Sequence, residues 1–94
     1  MKIRWTRRAT SALTAIRSTI ATDNPVAAQA LWLRVRTYVD TKLAVHPMLG
    51  RPGRVEGTRE SVIQRNYILV YRITGDAIDI LTVRHAAQDW PEQF

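Results

Sequence analysis

RPGRVEGTRESVIQRNYILVYR, Arg51–Arg72, is the stretch that decides the fold. With Gly50 before it, the stretch starts as a glycine- and arginine-rich loop and turns into strand-type sequence. Glu60–Arg65 predicts a brief strand. From Tyr67 the side chains alternate, with Tyr67, Leu69, Tyr71 and Ile73 on one face and Ile68, Val70 and Arg72 on the other. That strand, predicted over Tyr67–Thr74, reaches Gly75-Asp76, and a partner strand follows over Ala77–Arg84. A two-residue connection with glycine first suits a type II′ hairpin.

Upstream, the periodicity changes. Met1–Thr6 alternates Ile3 and Trp5 against Lys2 and Arg4, which predicts a first strand. From Thr6, the residues Ala9, Ala12, Leu13, Ile16 and Ile20 recur at three- and four-residue steps, the pattern of a helix with one apolar stripe. Asp23-Asn24-Pro25 interrupts it and starts a second helix, with Asn24 as N-cap and Pro25 at the first helical position. That helix runs to about Val45, with Ala28, Leu31, Val35, Tyr38, Val39 and Leu43 as its stripe. So short a break makes an antiparallel helical hairpin. Met48–Gly57, which holds three glycines, predicts an irregular loop. The fold class is α+β in the order βααβββ: a helical hairpin packed on a small, mostly antiparallel sheet.

Ninety-four residues make one domain, 1–94, with a modest core. Fourteen Lys and Arg against eight Asp and Glu give a net charge of +6. Twelve of the fourteen are arginine, the residue suited to planar contact with carboxylate or phosphate. Cysteine is absent, so neither a disulfide framework nor a thiolate metal site is available. The start MKIRWTRRAT has charge but no apolar run behind it. It predicts neither signal peptide nor membrane span, and a cytoplasmic protein.

The chemistry-bearing residues exclude more than they select. His46 and His85 stand alone, so no metal or other cofactor is expected. Ser61 lies inside a strand without a nucleophile elbow. Metal-free RNA cleavage needs a base, phosphate-binding cations and an acid. Glu56 or Glu60, the arginines Arg51, Arg54, Arg59 and Arg65, and His85 supply those types. The other reading is a protein-binding surface, since Arg and Trp dominate binding hot spots and Trp90 sits in a terminal tail. Trp32 and Leu33 flank the stripe of the second helix, which fits wider burial in a small domain or, alternatively, a groove for a partner's amphipathic segment.

The words RWTRRATSALTAI, TDNPVAAQAL, HPMLGRPGRVEGTRES, NYILVYRI and ILTVRHAAQDWP, in this order, resemble the RelE/ParE superfamily of bacterial type II toxin–antitoxin modules. Asp23-Asn24-Pro25, Gly57–Glu60 and the ending with His85, Gln88, Trp90 and Pro91 are similar to the ParE branch. Relatives that cut messenger RNA on the ribosome commonly carry an arginine just before the LVY of the third strand, where this chain has Ile68. The resemblance implies a growth-inhibiting toxin of the kind tied to plasmid stabilisation, silenced by an antitoxin and directed at DNA gyrase by binding, with no catalytic residues. It places target contact on Arg59, Arg65, Arg84, His85, Gln88 and Trp90, and antitoxin contact near Leu13, Ile16, Leu31 and Val35. The alternative it allows is a ribosome-dependent endoribonuclease using His85, Arg65 and Glu60.

Overall fold

Capping chemistry sets both helix starts. In the computed structural model, which describes residues 1–94, the Thr6 Oγ1 accepts from the Ala9 N–H at 3.1 Å and donates to the Ile80 carbonyl at 2.7 Å. One hydroxyl thus begins helix α1 (Arg7–Asp23) and pins it to the sheet. Asn24 repeats the device: its Oδ1 accepts from the Ala27 N–H at 3.1 Å, and Pro25 opens helix α2 (Pro25–Thr37).

The expected second helix continues past Thr37 but changes pitch. Tyr38–Leu43 is π-helical, and the Ala44 N–H donates to the Val39 carbonyl at 3.0 Å. The sequence explains the change. Leu31, Val35, Val39 and Leu43 recur every fourth residue, a spacing that drifts about 40° per step around a 3.6-residue turn. A wider turn absorbs the drift, and all four side chains are buried.

The sheet has five strands in the order β1-β5-β4-β3-β2. They are β1 (Lys2–Trp5), β2 (Arg51–Pro52), β3 (Arg59–Gln64), β4 (Tyr67–Thr74) and β5 (Ala77–His85). β1 lies parallel to β5, with Ile3 opposite Ile78 and Trp5 opposite Ile80; all other pairs are antiparallel. The short β2 falls inside the expected irregular loop. It pairs Arg51 with Glu60 and Pro52 with Arg59 at the sheet edge, a place where proline is tolerated. β3 begins one residue earlier than expected and releases Arg65 to the turn, where it sits at φ 32°. The β4–β5 hairpin forms at Gly75-Asp76 with positive φ at Gly75 alone, as a II′ turn requires.

The two faces of the sheet are both used. Leu69 and Tyr71 of β4, with Ile78, Ile80 and Val83 of β5, meet Ala9, Leu13, Leu31, Val35, Val39 and Leu43 in one cluster. A bulge opposite Tyr71 lets both Ile80 and Val83 face the helices. On the opposite face Ile68, Val70 and Thr82 are also buried. The loop after β2 and the C-terminal tail cover them, meeting where the Arg54 guanidinium stacks 3.9 Å from the Trp90 ring centre. No helix is long and apolar enough to cross a membrane.

Candidate functional site

Glu60 organises the loop-covered face. Its residue is 3% exposed, and its carboxylate accepts the Arg54 backbone N–H at 2.7 Å, the Arg54 Nε–H at 3.3 Å and an Arg51 Nη2–H at 3.4 Å. A carboxylate so enclosed requires partners of this kind. Arg54 carries the arrangement outward by resting over the Trp90 ring. Arg84, on the same face through its pairing with Ile68, approaches Trp90 from 5.6 Å and donates from Nη2 to the Asp89 carbonyl. Beyond it, Phe94 packs edge-on to Trp90 and lies under Arg8 of α1 at 5.4 Å. The tail is thus held by three guanidinium groups on two aromatic rings.

Glycine makes the loop's entry possible. A Cβ at Gly50 would lie 2.7 Å from both the Glu60 carbonyl oxygen and the Tyr71 hydroxyl. In its absence the Gly50 N–H donates to the Tyr71 hydroxyl at 3.0 Å, and that hydroxyl donates to the Pro47 carbonyl at 2.7 Å. Arg59 is spent on the same bend, donating to the Met48 carbonyl at 3.2 Å and to the Gly50 carbonyl. At the far end of the loop-covered face, Asp79 accepts from Arg4 at 2.5 and 3.1 Å. That hydrogen bond holds the Asp79 carboxyl below the usual carboxylate value and raises Arg4.

His85 occupies the other side. Paired with Tyr67, it faces the helices and meets the Tyr67 ring edge-on at 5.4 Å. Its Nδ1 accepts the Ala87 N–H at 3.1 Å, and its own N–H donates to the Gln88 Oε1 at 2.7 Å, so His85 and Gln88 shape the start of the tail. The hollow they line is completed by Ala15, Ile16, Thr19 and Tyr67, with neither a carboxylate nor a guanidinium.

The sequence-predicted residues therefore separate into distinct places. Trp90, Arg84 and Gln88 belong to the tail assembly. Arg65 is exposed in the β3–β4 turn, whose Asn66 carbonyl accepts from the Ala86 N–H at 2.7 Å. Arg59 is half-buried and anchors the loop. His85 and Glu60 lie on opposite faces, so the nuclease set His85, Arg65 and Glu60 does not converge.

The expected antitoxin contacts lie largely inside the fold. Leu13, Leu31 and Val35 are at most 3% exposed and belong to the core, with Ile16 packed against it. The apolar stripe that names a helix face is the stripe the fold itself buries. What remains outside is a groove of about 620 Å³ between α2, the π-helical turn and β3. Leu33, Val62, Ile63 and Tyr38 form its apolar wall, with Arg34 and Lys42 on its polar side. Leu33 was legible as an off-stripe apolar residue; Val62 was not, because only the register turns it outward. Arg54 as the partner of Trp90 left no sequence signal, the two lying far apart in the chain.

Known proteins share this sequence pattern and fold. Residues 3–90 match the family described as the ParE toxin of the type II toxin-antitoxin system parDE. The Sinorhizobium fredii protein Y4kP, whose name marks it as a candidate toxin, is 48% identical over 92 residues, covering 97% of this chain and 94% of that one. Toxin RelE2 of Caulobacter vibrioides is 39% identical over 84 residues, covering 89% and 93%. Among solved structures, the chromosomal ParDE system of P. aeruginosa superposes with a TM-score of 0.71 at 25% identity, covering 90% of this chain and 95% of that one. The RelBE2 toxin–antitoxin complex of Mycobacterium tuberculosis gives 0.62 at 27% identity, covering 89% and 95%. A two-helix hairpin on a five-stranded sheet, matched over nearly its whole length, makes this chain a member of the ParE toxin family of type II toxin–antitoxin systems.

Proposed function

We propose that this chain arrests growth by binding and poisoning DNA gyrase, without chemistry of its own, and that a co-encoded antitoxin holds it silent. One observation carries the choice of binding over catalysis. The hollow beside His85 contains no base and no phosphate-binding cation, while Glu60 is enclosed by Arg51 and Arg54 on the other face. Metal-free RNA cleavage needs an acid, a base and charge stabilisation within one substrate's reach. The match to the ParE family supports gyrase as the target.

In this reading the target meets the face that carries Arg54, Arg84 and Trp90, together with Arg65, His85 and Gln88 at the same end of the sheet. The antitoxin lies along the groove between α2 and β3. Apolar walls at Leu33 and Val62 beside Arg34 and Lys42 suit a segment that alternates apolar and acidic residues. Gyrase works where DNA is replicated, so the toxin acts in the cytoplasm.

The test pairs two assays on purified toxin: supercoiling by gyrase, and cleavage of messenger on translating ribosomes. The proposal expects inhibited supercoiling and intact message. Cut message with unaffected gyrase overturns it in favour of a ribosome-dependent endoribonuclease, the activity for which Ile68 replaces the customary arginine.

A further inference from the structure

The helical layer carries a second basic surface that neither the tail assembly nor the groove uses. Arg17 of α1 lies 5.2 Å from the ring centre of Trp32, Arg36 of α2 lies 5.6 Å from the same ring, and Arg36 lies 5.0 Å from Trp5. The four side chains form one line, Trp5–Arg36–Trp32–Arg17, running from the end of β1 along the helical hairpin. Three cation–π contacts of 5.0–5.6 Å thus join the four side chains.

The charge on this line is unneutralised. All three ion-paired arginines, Arg4, Arg51 and Arg54, belong to the sheet and its loop. None of the helix arginines Arg7, Arg8, Arg17, Arg34 and Arg36 has a carboxylate partner. The contacts with the rings leave the guanidinium N–H donors without a carboxylate partner. Both tryptophans are themselves half-buried, so the cations are held in place before any partner arrives. Ordering two long side chains in advance removes part of the entropy that binding otherwise costs.

We infer that the line Trp5–Arg36–Trp32–Arg17 is a contact surface for the phosphate backbone of duplex DNA. Guanidinium groups without ion-pair partners on the helical layer suit phosphate oxygens and carry no means of reading bases. The choice of duplex DNA rests on the gyrase proposal, because a poison of gyrase works beside the DNA that the enzyme holds. Contact with that DNA would anchor the toxin on the enzyme–DNA complex in preference to free enzyme.

The test measures binding of the intact toxin to a short fluorescein-labelled duplex by anisotropy across a salt series, with a single-stranded RNA of equal length beside it. Each phosphate contact contributes about 0.9 to the slope of log K against log salt. R17A/R36A should flatten the slope by about 2, so that a roughly fourfold rise in salt costs the wild type about tenfold more affinity than the variant. R17K/R36K keeps the charge and should keep most of the slope. Thermal melting and circular dichroism, measured on the same variants, establish that each is folded. An unchanged slope in R17A/R36A overturns the inference, as does RNA bound more tightly than the duplex. Antitoxin affinity that falls while the DNA slope holds would assign the line to an acidic protein segment instead. The DNA measurement contains no gyrase, so its failure is distinguishable from failure of the gyrase proposal, which the supercoiling assay reads alone.

Discussion

Glu60→Ala should be the most damaging single change on the loop-covered face. The variant loses a charge-assisted bond to the Arg54 backbone N–H at 2.7 Å, a type of contact that contributes about 1.5–3 kcal/mol. The two guanidinium contacts at 3.3 and 3.4 Å are long, and the Arg51 and Arg54 side chains are 59% and 42% exposed. They behave as surface pairs worth about 0.2–1 kcal/mol each. Relief from burying a carboxylate offsets part of this, leaving a loss of about 2–3 kcal/mol. At about 4–8 °C per kcal/mol for a domain of this size, melting followed by circular dichroism should fall by about 10–20 °C. Glu60→Gln keeps an acceptor for the Arg54 N–H and should fall by less than half as much. Should Glu60→Ala melt within about 2 °C of wild type, the carboxylate does not organise the loop and the reasoning fails.

Tyr71→Phe removes the hydroxyl that accepts the buried Gly50 N–H and should cost about 1–3 kcal/mol, read as a shift in the urea midpoint without a change in slope. Gly75→Ala meets no atom within 4 Å, so its cost is that of placing alanine at φ 61°, about 1 kcal/mol, and Gly75→Asn should lose less. The Arg4 hydrogen bond depresses the Asp79 carboxyl in the folded state, so Asp79 stabilises the fold above its ordinary value of 3.8 and ceases to do so as pH falls through the lower folded value. The melting difference between wild type and Asp79→Asn should accordingly be present at neutral pH and shrink below about pH 4. His85→Ala should weaken growth inhibition only in part if toxicity is binding alone, because His85 is one of several target contacts; message cleavage by the wild type that the folded variant lacks would point to chemistry at that ring.

Alternation and capping were readable from the chain, and they carried most of the fold. Tyr67–Thr74 formed as expected because β-rich alternation over eight residues has no helical competitor, and Asn24-Pro25 opened α2 because the cap and the fixed φ act locally. The strand Arg51–Pro52 was hidden, since two residues with a proline carry no periodicity of their own. The pitch change at Tyr38 was implicit in the four-residue spacing of Leu31, Val35, Val39 and Leu43, which a 3.6-residue repeat cannot hold in line. The candidate site was legible by residue type and not by placement. His85 and Arg84 are neighbours in the chain, yet the pleat sends one toward α1 and the other toward Trp90. The helix residues Leu31 and Val35 read as a binding face because one sequence cannot say which surface its own apolar stripe will claim.

The parallel seam between β1 and β5 has a consequence for how the molecule comes into being. Lys2–Trp5 finds its neighbour only in Ala77–Ile80, so the first strand made waits for the last. The intervening segment must be synthesised before that loop can close, and long-range closure is the slow kind. Ile78, Ile80 and Val83, the floor under both helices, arrive with the same late strand. A nascent chain interrupted just before Ala77 would therefore hold two helices over a partial floor, Leu69 and Tyr71 of β4 without Ile78, Ile80 and Val83. The packed sheet exists only once β5 has been made.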